Sequence, residues 1–181
     1  MKSLLLAATA LAVTCNVANA QSHQPYAGLE QRAIKSLSSE QMDDLKSGRG
    51  MGLALAAELN GYPGPSHVLE LADRLDLSAD QRSKVQELFD SMKQEATPLG
   101  AKLIDQERDL NRLFADRVVT PDTLKVALAV ISATQGQLRE SHLKYHLSTA
   151  SVLTEAQMQK YAELRGYRQP DAPTGHHQHR H

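Results

Sequence analysis

Two long apolar stripes at helical spacing constrain the fold more than any other feature of this chain. In the first, Val85, Phe89, Met92, Ala96, Leu99, Leu103, Leu110 and Leu113 follow alternating steps of four and three, broken only at Gln106. Such steps place every member on one face of a helix. The second stripe runs through Leu124, Leu128, Ile131, Gln135, Leu138, His142, Tyr145, Thr149 and Val152. Between them lies a turn at Asp116 to Thr120, where Thr120-Pro121 offers an N-cap followed by the residue best tolerated at the first helical position. Two helices of matching length on a short loop bury their stripes best against each other, which predicts an antiparallel hairpin. Pro98 sits inside the first helix and is expected to kink rather than end it, because the ring removes one amide donor and crowds the preceding turn.

A pentapeptide marks where helices begin. Leu-Ser-Ser-Glu-Gln at 37–41, Leu-Ser-Ala-Asp-Gln at 77–81 and Leu-Thr-Glu-Ala-Gln at 153–157 each set a hydroxyl three residues before a glutamine. That is the spacing of a capping box, in which the hydroxyl accepts from the third amide and the glutamine returns a bond to the cap. Leu37 with Met42 and Leu153 with Met158 complete hydrophobic staples, whereas Arg82 cannot do so for Leu77. Between the first two boxes, short helices are expected around Met51 to Leu59 and Ser66 to Leu75, separated by Gly-Tyr-Pro-Gly-Pro. The glycines at 48, 50 and 52 do not make a phosphate loop, since no strand precedes them and no Gly-Lys-Ser/Thr follows.

The ends of the chain read differently. Met1-Lys2, an apolar run from Leu4 to Val13 and Ala18-Asn19-Ala20 have the form of a signal peptide cut after Ala20, which implies export to the periplasm. Thr14 is a poor lipobox residue before Cys15, so that cysteine is expected to leave with the signal rather than to carry lipid. The mature chain then holds no cysteine, which excludes disulfides, thiolate metal sites and a cysteine nucleophile. After Tyr167 the composition turns to Gln, Pro, Asp, Gly and His and ends in Gly-His-His-Gln-His-Arg-His, which reads as a disordered native tail. The resulting division is a signal peptide at 1–20, a flexible segment at 21–36, a short-helix cover at 37–76, the hairpin domain at 77–167 and the tail at 168–181. The fold class is all-α, a kinked antiparallel hairpin of long helices with short flanking N-terminal helices and a short C-terminal one. Hairpin residues Val85, Phe89 and either Leu143 or Leu147 are expected to remain partly uncovered, which predicts a homodimer.

Composition and motifs exclude several function classes. A net charge of −1, interspersed signs and the absence of Trp give no nucleic-acid surface. No run of about 20 apolar residues offers a membrane span in the mature chain. No Gly-x-Ser-x-Gly or strand scaffold holds a nucleophile, and Asp105, Glu107, Arg108 and Asp109 read as a solvated helix face, so no enzyme is expected.

An exported, all-helical, cysteine-free mature chain with Leu-Ser-Ala-Asp-Gln opening one long helix and Leu-Thr-Glu-Ala-Gln closing a second resembles the LTxxQ-motif periplasmic superfamily. That group comprises CpxP- and Spy-type chaperones and ZraP- and CnrX-type heavy-metal proteins. The resemblance covers roughly residues 77 to 165 and implies a kinked, usually dimeric hairpin without a catalytic site. The segment from Gly48 to Pro65 departs from the small chaperones.

Metal chemistry centres on His-Leu-Lys-Tyr-His. His142 and His146 lie four apart and so share a helix face, with Cβ atoms about 5–6 Å apart. Folding the hairpin about its turn brings them opposite Met92 to Leu99, within which Met92 and Glu95 are candidate ligands. Two imidazoles, a thioether and a carboxylate suit Zn, Ni, Co or Cu. The plainer alternative makes His142 a core histidine bonded to a neighbour, with His146 solvated beside it. The CnrX-type sensors that the sequence resembles use His, Glu and Met ligands, although their pattern is not reproduced residue for residue. His176, His177, His179 and His181 could hold metal loosely; His67, at the start of a short helix, could be a further ligand but reads rather as a surface residue, and His23 lies in the loose N-terminus. The expected function is therefore metal sensing or resistance. The alternative is an envelope-stress chaperone or regulator, with unfolded proteins, a sensor kinase or an anti-sigma factor as partner.

Overall fold

The computed structural model describes residues 25–168, among which there are six α-helices and no strand. A 3-10 turn at Leu29–Gln31 precedes α1 (Ser39–Lys46), α2 (Leu55–Glu58), α3 (Pro65–Glu70), α4 (Ala79–Ala115), α5 (Pro121–Val152) and α6 (Glu155–Leu164). The expected all-α architecture is present: α4 and α5 pack along each other, and α1, α2 and α3 lie against them. Pro98 is internal to α4, which continues through it. The expected signal peptide with Cys15, the residue His23 and the tail histidines 176, 177, 179 and 181 lie outside the described residues. None of the described helices is long and apolar enough to cross a membrane.

The stripes are buried much as their spacing predicts. Val85, Met92, Ala96 and Leu103 of α4 are buried, as are Ile131, Leu138, His142, Tyr145 and Thr149 of α5. The differences come from the cover, which widens the buried face. Gly100 and Ile104 are buried because α1 packs on α4, while Thr134 replaces Gln135 in the core and Leu128 is 46% exposed. Gln106 and Gln135 do not pair: the Gln106 Oε1 is buried without a partner, and Gln135 faces a separate groove between α1 and α5.

Two apolar clusters result. One joins Ile34, Leu45, Ala96, Leu103, Ile104, Ile131 and Leu138; the other joins Val68, Leu75, Val85, Leu153 and Tyr161. Ile34 is only 2% exposed, so the segment expected to be flexible reaches the core. Val85 is fully covered by the second cluster and Phe89 and Leu143 are half-buried, which leaves only Leu147 of the residues expected at a dimer face clearly exposed. The short helices also start late or stop early. Met51 (φ 42) and Gly52 (φ 81) are left-handed, so α2 begins at Leu55 rather than Met51, and α3 ends at Glu70, ahead of left-handed Asp76 (φ 51).

All three pentapeptides form capping boxes, and Thr120 with Thr123 forms a fourth. Two of the glutamines do more. Gln81 Oε1 accepts the Ser78 amide at 3.1 Å and the Gln157 Nε2 at 3.0 Å. Gln157 Oε1 accepts the Thr154 amide at 3.0 Å and the Gln81 Nε2 at 2.8 Å. The remaining amide hydrogens go to the Val152 and Leu75 carbonyls. This clasp locks the start of α4 to the start of α6 and explains glutamine over glutamate, since a carboxylate has no hydrogens to give. Ser78→Ala is expected to cost about 1 kcal/mol, the ordinary value of a cap. Gln81→Ala should cost more in urea denaturation, because four bonds go with it; equal losses would mean the clasp contributes nothing.

Candidate metal centre

The hairpin and its cover line a half-open cavity of about 570 Å³. Its walls include His142 and His146 from α5, Met92 from α4, Glu58 from α2, His67 from α3 and the glycine loop at 48–52. The i, i+4 spacing turns both imidazoles to this side, and the antiparallel register brings Met92 opposite them, as the sequence predicts.

Each histidine is fixed in place, one by a backbone partner and the other by burial. His146 Nδ1 lies 2.7 Å from the Tyr62 carbonyl, which can only accept, so Nδ1 carries a hydrogen and this bond orients the ring. His142 is 2% exposed, and its Nε2 has no hydrogen-bond partner. Burial, and then the neighbouring His146, push its pKa below the ordinary value, so the ring is neutral. A buried imidazole nitrogen without a partner costs free energy that a bound cation would offset. Close approach of backbone makes the room. A Cβ on Gly50 would sit 3.4 Å from His142 Nδ1, and one on Gly64 only 2.8 Å from His146 Nε2.

Glu95 is not part of this wall. Its carboxylate binds Lys144 Nζ at 2.5 Å and the Tyr145 hydroxyl at 2.7 Å, and these bonds hold its pKa below the ordinary range. The sequence placed it near the histidines correctly along the helix, but α4 turns it toward Lys144 instead. Three carboxylates reach the cavity, those of Asp44, Glu58 and Glu70, and the one beside the histidines is Glu58, which is 5% exposed. It accepts hydrogen bonds from the hydroxyls of Tyr161 and Tyr167 and from the Gly64 amide, and it lies 3.4 Å from His67 Nδ1 and 3.7 Å from His146 Nδ1. Burial alone would raise its pKa, but the bonds from His67 and Tyr161, with Tyr167, bring it down to about 2. Glu58 therefore stays ionised and orients the groups around it. His67, read as a surface residue, is only partly exposed at the cavity edge.

Sequence periodicity could not have found Glu58 or the glycine contacts. The nearest signal is a lone carboxylate in the small-residue run Ala54-Leu55-Ala56-Ala57-Glu58, directly before the Pro/Gly turn. Among the described residues no three His, Cys, Asp or Glu side chains converge as a ready cation cluster. The nitrogen and sulfur donors at the wall are thus the imidazoles of His142 and His146, that of His67 at the edge, and the Met92 thioether, a combination that fits soft or borderline divalent ions better than Mg or Ca.

No curated protein and no solved structure matches the chain. A family model described as heavy-metal resistance matches residues 51–160, a stretch that includes α2 to α5 with Glu58, Met92, His142 and His146, and the chain belongs to that family.

Proposed function

We propose that the protein binds a divalent heavy-metal ion through His142 and His146, with Met92 as a further donor, and acts without catalysis in periplasmic metal sensing or resistance. The observation that carries this reading is the pair of imidazoles on the wall of a shared cavity, one of them, His142, with an unpartnered buried nitrogen. Tyr62 and Glu58 act as the outer partners that fix the His146 ring, a role such groups commonly play behind metal ligands. Zn, Ni, Co and Cu(II) all suit the donors. Calorimetric titration of Zn²⁺ into a chain with His176, His177, His179 and His181 changed to Gln tests it. One ion per chain should bind, His142→Ala or His146→Ala should abolish that binding, and Glu95→Ala should leave it unchanged. Binding should weaken as pH falls through the histidine range, because protons compete for the same lone pairs. If all affinity leaves with the tail histidines, the cavity is not the site.

One observation favours a second reading, the chaperone. From Val126 to Gln137 α5 carries no charge, and Val126, Leu128 and Val130 are 64%, 46% and 45% exposed. Such a surface suits either unfolded apolar segments or a second copy in a homodimer. Val126→Glu should abolish suppression of aggregation of an unfolded test protein if it serves the former, and should convert a dimer to a monomer in light scattering if it serves the latter.

A further inference from the structure

The cavity falls short of a full ligand set. The imidazoles of His142 and His146 and the Met92 thioether leave one position of a four-coordinate ion open, and most other donors on the wall are already engaged. Glu58 accepts from Tyr161, Tyr167 and the Gly64 amide, and His67 lies 3.4 Å from it. Asp44 is paired with Arg49 at 2.6 Å. Glu70 accepts the Ser66 hydroxyl at 3.3 Å and ends α3, about 9 Å along the axis from Gly64, the residue that packs on His146. Met51 is the exception. It lines the cavity, is 42% exposed and directly follows Gly50, on which an added Cβ would meet His142 Nδ1 at 3.4 Å. Its Cα is therefore one peptide, about 3.8 Å, from a residue in contact with the ring. Three rotatable side-chain bonds let its sulfur swing from solvent toward the histidines. Its backbone is left-handed (φ 42), a conformation that Gly48 and Gly52 adopt freely and that a residue with a Cβ enters only against steric strain. A thioether placed on a strained turn beside an imidazole is an outlier that a ligand role accounts for.

We infer that Met51 is the fourth ligand of the ion held by His142, His146 and Met92, and that this site of two imidazoles and two thioethers takes Cu(I) in preference to a divalent ion. The inference rests on the metal reading of the cavity and names its cargo. Two arguments select Cu(I). Thioethers are soft donors, and soft donors select monovalent copper over harder ions. All four donors are also neutral, and the carboxylates beside them are matched by cations, Asp44 by Arg49 and Glu58 by Arg165 at 3.6 Å. Among the described residues no unmatched carboxylate adjoins the imidazoles to offset a second positive charge, and the cost of desolvating an ion rises with the square of its charge. The single charge of Cu(I) suits such a wall. With its side chain at the open mouth, Met51 closes on the ion after His142, His146 and Met92 have seated it.

Anaerobic titration of Cu(I), held reduced by ascorbate and competed with bicinchoninate, tests this beside a parallel titration of Zn²⁺. The chain used carries His176→Gln, His177→Gln, His179→Gln and His181→Gln, so that binding by those histidines does not enter. X-ray absorption at the copper edge counts the sulfur neighbours. One Cu(I) should bind per chain, through two sulfurs and more tightly than Zn²⁺. Met51→Leu preserves size and apolarity and removes only the sulfur. It should lower Cu(I) affinity by roughly 100-fold, the loss of one tethered donor, and leave one sulfur on the copper, with Zn²⁺ affinity and melting temperature unchanged. Unchanged Cu(I) affinity or an unchanged sulfur count in Met51→Leu would overturn the inference, while Zn²⁺ binding that depends on His142 left the cavity site standing. Equal losses for both ions would overturn it too, since Met51 would then only shape the loop. If neither ion binds, or if binding survives His142→Ala, the cavity reading itself falls and this inference with it.

Discussion

Alanine at Gly100 is expected to destabilise the protein by about 3 kcal/mol, against the usual gain of about 1 kcal/mol when a helical glycine becomes alanine. The reversal follows from what the new methyl would meet. A Cβ at Gly100 falls on the Leu45 carbonyl, 2.7 Å from its carbon and 3.1 Å from its Cα. That is main chain, not the end of a side chain that could swing away, so α1 itself must move off α4. With it goes the packing of Leu45 against Ala96, Leu103 and Ile104, together with the cavity wall formed by Asp44 and the glycine loop at 48–52. The melting temperature should fall by roughly 10 °C, and metal affinity should fall with it. Gly136 of α5 is the internal control, because nothing lies within 4 Å of a Cβ built there. Gly136→Ala should raise the melting temperature. If both substitutions stabilise, α1 is not held against α4 in the way described.

Gly100 also shows what the sequence could convey and what it could not. The helices were legible because their signals are local: four-three spacing for α4 and α5, hydroxyl and glutamine three apart for the caps. The antiparallel hairpin followed, since two facing stripes on a short loop have no other partner of equal length. The histidine pair and Met92 were legible for the same reason, being fixed by helical period and register. Glu95 was lost because a register uncertain by a turn cannot tell a cavity wall from the neighbouring face, where Lys144 and Tyr145 wait. Glu58, Gly50, Gly64 and Gly100 were illegible because their roles depend on how the short cover helices dock. No periodicity encodes docking. The Gln81–Gln157 clasp lay between these extremes: each box was readable alone, but their meeting needed the path of the chain between them.

Glu58→Gln is expected to cost about 3 kcal/mol at neutral pH, and the loss should vanish in acid. In the folded protein the carboxyl is held near 2, against an ordinary value of 4.5. A carboxyl whose folded pKa is depressed contributes stability that is fully present above the unfolded value. The contribution is therefore complete above about pH 4.5 and disappears as pH falls toward 2, a difference that converts to about 3 kcal/mol at ~1.4 kcal/mol per pH unit. The glutamine variant has no such group to protonate. Its carboxamide would also turn a donor toward the Tyr161 and Tyr167 hydroxyls, the Gly64 amide or Arg165, all of which now point hydrogens at this position. Chemical denaturation from pH 2 to pH 7 should show wild type and variant nearly equal at the acid end and diverging steadily up to about pH 5. Parallel curves would mean that Glu58 is no more anchored in the folded state than in the unfolded one. Metal affinity supplies a second readout. His146 Nδ1 keeps the Tyr62 carbonyl as its acceptor, so the cavity should still bind metal in the variant within about tenfold of wild type, the lower end of losses seen when an outer partner of a ligand is removed.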